Sequence, residues 1–162
     1  MLFKSFYHIR ANHLINFQYL MGQYEKIYNQ MKNIQIFILD RNPVEGNFLK
    51  YRLSSSGIKN VIIFHTPEEC LYSIRKTKKP EFIIADSALK STTDQEFLKL
   101  IRSIDPSIKV IFYSDNEDIS HISRLLEMGA TDYIVRVGGD QNWIRELTSN
   151  LQYLIKEELR LG

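Results

Sequence analysis

The chain has 162 residues, a single cysteine, 44% apolar and 25% charged residues, and a formal net charge of +2. That length fits one domain with room for an added element, and the apolar share supports a buried core. So small a charge argues against nucleic acid or an acidic membrane surface, Cys70 alone excludes an internal disulfide, and no apolar run nears the roughly 18 residues of a membrane helix.

In chain order, the first 30 residues hold seven aromatics (Phe3, Phe6, Tyr7, Phe17, Tyr19, Tyr24, Tyr28) against four Lys, Arg or Glu side chains (Lys4, Arg10, Glu25, Lys26). Leu14, Phe17, Met21, Tyr24 and Tyr28 recur at three- and four-residue steps, which predicts a helix whose stripe needs a covering surface. Two readings stay open: a packing or dimerising helix, or a dispensable leader ahead of a domain that starts at Met31-Lys32. Residues 1–30 are therefore set apart as a helical extension and residues 31–162 as the domain. The N-terminus lacks a compact apolar core with a small-residue cleavage site, so no signal peptide is expected and a cytoplasmic location is.

Five short runs follow, rich in β-branched and aromatic residues: Ile34–Leu39, Val61–Phe64, Phe82–Ala85, Val110–Tyr113 and Tyr133–Val137. Runs this short and continuous predict strands covered on both faces, as in a parallel sheet. Amphipathic stretches alternate with them at Pro43–Leu53, Pro67–Thr77, Asp94–Ile104, Asp118–Met128 and Asp140–Leu161. Thr66 precedes a first-turn proline, and Gly129 closes the fourth helix. Right-handed crossovers then place helices on both faces of a five-stranded doubly wound sheet, an α/β fold. Ligands of such sheets sit beyond the carboxyl ends of the strands.

Those ends deliver Asp40 and Arg41, then Asp86, then Ser114 with Asp115, then Tyr133 and Arg136. Elsewhere the signals are weaker. His8, His13, His65 and His121 have no metal spacing, Cys70 reads as a packing residue, and Trp143 reads as packing the last helix onto the sheet. No nucleophile-base-acid set stands out, so an enzyme is not expected.

The segments LDRNP at Leu39–Pro43, FIIADSAL at Phe82–Leu89, VIFYS at Val110–Ser114 and above all GATDYIVR at Gly129–Arg136 resemble response-regulator receiver domains of two-component signalling. Spacings of 46, 28 and 22 positions from Asp40 to Asp86, Ser114 and Arg136 in turn agree with the family layout. The resemblance implies the flavodoxin-like receiver fold, Asp86 as phosphoacceptor, Ser114 as switch hydroxyl, Tyr133 as switch aromatic and Arg136 as phosphoryl contact. It implies a histidine kinase or phosphotransfer protein upstream and a downstream protein target, without nucleic acid or membrane. A homodimer is a further expectation, and so is a stand-alone domain, since the last helix ends at Gly162.

The pattern also breaks. The acid pair is Asp40-Arg41, the expected lysine is Arg136, its following proline is Val137, and Asp115 replaces a small residue. Family members hold Mg²⁺ on acidic residues. Here that set shrinks to Asp40, Asp86 and Ala88, with Arg41 in place of an acid. Arg41 and Arg136 would balance Asp40 and Asp86, and Arg41 would pair with one of them and lock the rim. Three readings follow: a phosphorylated receiver, a pseudo-receiver that binds partners without phosphorylation or Mg²⁺, and an unrelated flavodoxin-like protein.

Overall fold

The computed structural model describes all residues except 1–16, 27, 30, 78, 88, 90, 138–141 and 162. Along them run β1 (Gln35–Leu39), α1 (Pro43–Ser55), β2 (Asn60–Phe64), α2 (Pro67–Lys76), β3 (Phe82–Asp86), α3 (Asp94–Ile104), β4 (Lys109–Ser114), α4 (Ile119–Glu127), β5 (Asp132–Val135) and α5 (Asn142–Leu161). Residues 17–26 and 28–29, ahead of β1, are also helical. The Leu14 end of the aromatic stripe lies outside the described residues. No described helix is long and apolar enough to cross a membrane.

Local chemistry sets the helix ends. Asn42, Thr66 and Thr93 each accept a backbone N–H of the following turn, and Thr93 forms a reciprocal capping box with Glu96. Each such cap is worth about 1 kcal/mol. Gly57 and Gly129 end α1 and α4 at φ +99° and +96°, a conformation that a Cβ would strain.

All pairings are parallel, in the order β2-β1-β3-β4-β5. Alternate side chains go to opposite faces. One face sets Ile36, Ile38, Phe82, Ile84, Ile111 and Tyr113 against α1 and α5. The other sets Phe37, Leu39, Ile83, Phe112 and Tyr133 against α2, α3 and α4. The doubly wound five-stranded sheet expected above is the one found.

The last strand is shorter than its sequence suggests. Its final rung pairs Ser114 with Val135, and the Arg136 N–H then donates to the Ser114 carbonyl at 2.7 Å. Arg136 thus stands one residue past the strand, free to turn its side chain along the rim. The final helix is described over Asn142–Leu161, and its expected start at Asp140 lies outside the described residues.

Candidate functional site at the carboxyl rim

Asp40 follows β1 and is fully buried. Its Oδ1 accepts the Asn42 N–H at 2.8 Å, and its Oδ2 accepts the Tyr113 hydroxyl at 2.7 Å. His65 Nδ1 lies 2.8 Å from its backbone oxygen. Helix α1 comes close enough to seal this corner because residue 46 is glycine. A Cβ there would meet Ile63 at 3.2 Å and the Asp40 Cβ at 3.5 Å. Burial, then the charge and hydrogen bond of Asp40, push the Tyr113 hydroxyl well above its ordinary pKa. It therefore stays a donor at any working pH.

Arg136 closes the same side from above. Its Nε and Nη2 reach the two Asp115 carboxylate oxygens at 3.0 and 3.1 Å, and its Nη1 pairs with Glu45 at the start of α1. The guanidinium lies 5.5 Å from the Tyr113 ring centre and 5.8 Å from that of Trp143. Those two rings stack at 5.1 Å with 16° between their planes. Burial alone would lower the Arg136 pKa, but hydrogen bonding to Asp115 and the charges of Glu45, Asp115 and Asp86 outweigh it and raise it. The fork geometry explains why arginine serves here: one flat group meets two carboxylates and a ring stack together.

Asp86 and Ser114 end adjacent strands, and both are buried at the rim. Ser114 Oγ accepts the Asn116 N–H at 3.1 Å. Tyr133 faces inward, 8% exposed, and its hydroxyl donates to the Asn116 carbonyl at 3.2 Å. On this side the buried Asp94, the first residue of α3, accepts the hydroxyl of Ser87, and its Oδ2 lies 3.0 Å from His121 Nε2. The His121 ring meets Tyr133 edge-on at 6.1 Å. Burial raises the Asp94 pKa, with partial relief from hydrogen bonds to Ser87 and His121.

The structure thus gathers Asp40, Asp86, Ser114, Tyr133 and Arg136 at one end of the sheet, and it leaves Arg41 out. Arg41 is exposed and makes no ion pair among the described residues. The expected lock by Arg41 is therefore corrected: Arg136 is the locking cation. The expected neutral balance also fails, since Glu45 joins Asp86 and Asp115 around the Arg136 guanidinium while Arg41 is exposed. Sequence reasoning missed Glu45, Asp94 and the polar roles of Tyr113 and His121. The first two look like ordinary first-turn acids, which favour helix N-termini anywhere.

A hydrated divalent cation does not fit these residues. Asp40 is fully buried with both carboxylate oxygens engaged, Arg41 offers no oxygen, and no group of three acidic, histidine or cysteine ligands occurs among the described residues. Ala88, the remaining expected ligand position, lies outside the described residues.

A sequence profile described as "Response regulator receiver domain" matches residues 36–147. Over 112 residues the chain is 24% identical to the Fimbriae Z protein of Escherichia coli K12, covering 69% of this chain and 53% of that protein. It is 27% identical to the two-component response regulator ORR1 of Oryza sativa subsp. japonica, covering 63% of this chain and 48% of that one. The chain thus spans about half the length of these curated relatives. Among solved structures, the receiver domain of Francisella response regulator 1452 superposes with a TM-score of 0.68 at 20% identity, covering 77% of this chain and 98% of that one. A CheY-like receiver domain protein of Methanospirillum hungatei gives 0.69 at 22%, covering 80% and 98%.

Proposed function

The chain belongs to the response regulator receiver domain family, and we propose that it is a signalling module that meets its partner proteins without Mg²⁺ and without prior phosphorylation of Asp86. One observation carries this reading. The guanidinium of Arg136 is clamped between Asp115 and Glu45 above Tyr113, whose hydroxyl holds the buried Asp40. A phosphoryl group gains charge on its oxygens during transfer, and a site for it needs donors that are free to follow that charge. Here the Arg136 guanidinium is already satisfied by carboxylates. Freeing it would break a fork of hydrogen bonds and leave acids facing an incoming anion. The module works through protein–protein contacts and not as an enzyme.

A second reading rests on Asp86 and Ser114, a carboxylate and a hydroxyl that are both buried at the ends of neighbouring strands. In it Asp86 is the nucleophile toward a phosphoryl donor, either a histidine kinase or a phosphotransfer protein, and Ser114 donates to the transferred group. Acetyl phosphate distinguishes the two readings. The intact mass of the protein is followed with and without Mg²⁺, beside an Asp86→Asn control. We expect no gain of a phosphoryl group on either protein. A Mg²⁺-dependent gain that Asp86→Asn abolishes would establish the second reading instead.

A further inference from the structure

Helix α4 is held to the sheet by little apolar surface. Of its nine residues only Leu125 is buried, with Ile122 half-buried beside it, while Ile119 is 77% and Leu126 43% exposed. On the same face of the sheet, α2 and α3 each bury four residues. A helix of this length is marginal by itself, and one buried leucine contributes only about 1.5–3 kcal/mol. Polar contacts therefore weigh heavily in where α4 sits.

One such contact joins α4 to the loop that follows Asp86. Asp94, 5% exposed at the start of α3, is met at the same Oδ2 by the Ser87 hydroxyl and by His121 Nε2, the latter at 3.0 Å. Ser87 is the residue after Asp86, and its backbone N–H donates to the Tyr113 carbonyl at 2.9 Å. On the other side the His121 ring meets Tyr133 edge-on, and the Tyr133 hydroxyl donates to the Asn116 carbonyl. The Asn116 N–H donates in turn to Ser114 Oγ. Contacts thus run from Ser87 through α3 and α4 and return to the rim at Ser114.

We infer that the Ser87–Asp94–His121 bridge is a latch that fixes α4 over Tyr133 and ties its position to the loop after Asp86. Burial makes the Asp94 carboxylate costly to hold inward without hydrogen bonds. The Ser87 hydroxyl keeps it there, at the point where His121 meets it. Without that hydroxyl the carboxylate spends more time turned toward water, and α4 loses its polar anchor. A shift of the loop and a shift of α4 therefore favour each other, which is a coupling between the rim and the exposed face of α4. The latch runs through neither Arg136 nor the Asp86 carboxylate, so it stands whether or not Asp86 takes a phosphoryl group.

Relaxation-dispersion NMR of the full chain tests this inference, because it reads a second position of α4 within the folded state rather than a loss of folding. His121→Phe keeps a ring against Tyr133 but removes the nitrogen that meets Asp94. The population of displaced α4, read at the backbone amides of 119–128, should rise about tenfold. Ser87→Ala, on a different element, should raise it at the same amides by about threefold. If Ser87 acts on α4 through Asp94 and His121, Ser87→Ala adds nothing further in the His121→Phe chain. The amides of 147–155 in α5 should stay as in the parent. Unchanged α4 signals in either single variant overturn the inference, as do additive effects in the double variant. Equal broadening in α4 and α5 also overturns it, since the bridge would then support the whole domain and latch nothing.

Discussion

Asp40 and Asp94 are buried carboxylates on the two sides of Asp86, and they are held in opposite ways. Asp40 rests on a tyrosine hydroxyl and a backbone N–H, beneath a guanidinium clamped by two further acids. Asp94 rests on a serine hydroxyl and an imidazole that in turn touches Tyr133. Burial raises the Asp94 pKa above its ordinary value, whereas the donors to the Asp40 carboxylate are a backbone N–H and a phenol held well above its own ordinary pKa. One side of the rim is thus built to stay fixed, and the other to respond to conditions. The fixed side belongs to the α1–α5 face of the sheet and the responsive side to the face of α3 and α4.

The fixed side is broken most strongly by giving it the oxygen it lacks. Arg41 is exposed and makes no ion pair among the described residues, so Arg41→Asp breaks none of these pairs and adds a carboxylate next to Asp40 in the chain. Magnesium affinity measured by calorimetry should rise at least about tenfold. Phosphorylation should gain less than metal binding, because Arg136 stays clamped by Asp115 and Glu45. If the parent chain binds Mg²⁺ as tightly as the variant, burial of Asp40 does not close this side to cations, and the contrast between the two sides loses its basis.

Next in size is the hydroxyl under the clamp. Tyr113→Phe keeps the ring stack on Trp143 but leaves Asp40 Oδ2 without that donor inside the core. The expected cost is about 1–3 kcal/mol, read as a lower urea midpoint at unchanged m-value. Ser87→Ala, the matching change at Asp94, should cost less, since His121 still reaches the same carboxylate oxygen. Equal losses would mean that the two carboxylates are held alike.

Much of this contrast was hidden in the sequence, for physical reasons. Strands covered on both faces are nearly unbroken apolar runs, so β1 to β4 and the sheet type were readable, as were the caps at Thr66 and Gly129. The rim positions of Asp40, Asp86 and Ser114 followed from strand ends. Side-chain direction past a strand end did not. Arg41 and Arg136 both follow strand ends, yet one turns to solvent and the other lies across the rim. Glu45 and Asp94 acquire their partners only when a loop or a neighbouring helix returns to them, and no local pattern records that. The end of β5 was overrun because Arg136 and Val137 continue an alternation that hydrogen bonding does not.

Arg136→Gln sharpens the same side more gently. It removes the fork to Asp115 and the pair with Glu45, but these acids are 74% and 41% exposed, so water already screens much of the interaction. A loss of about 1 kcal/mol is expected at low salt, shrinking in high salt. A salt-independent loss would mean that packing over Tyr113 and Trp143, not charge, is what Arg136 contributes.

The smallest effect separates the two sides by pH. Burial raises the Asp94 pKa above its ordinary 3.8, and Ser87 and His121 offset this only in part. Just above pH 3.8 the folded chain therefore keeps a proton that the unfolded chain has released. The folded state binds more protons in that window, so this group's contribution to stability is full below pH 3.8 and falls as pH rises through the folded-state value. Asp94→Asn cannot titrate and removes the slope. Urea midpoints of the parent chain minus those of Asp94→Asn should decline from pH 3.8 upward, then level once Asp94 is ionised in both states. Asp105 provides the opposite sign, since hydrogen bonds from Ser107 and Lys79 lower its pKa, and its contribution is lost as pH falls below 3.8. A parent-minus-variant difference at Asp94 that rises with pH, as at Asp105, would show a carboxylate stabilised by its imidazole rather than penalised by burial. The responsive side would then be an ordinary ion pair, as fixed below neutrality as the clamp on Arg136.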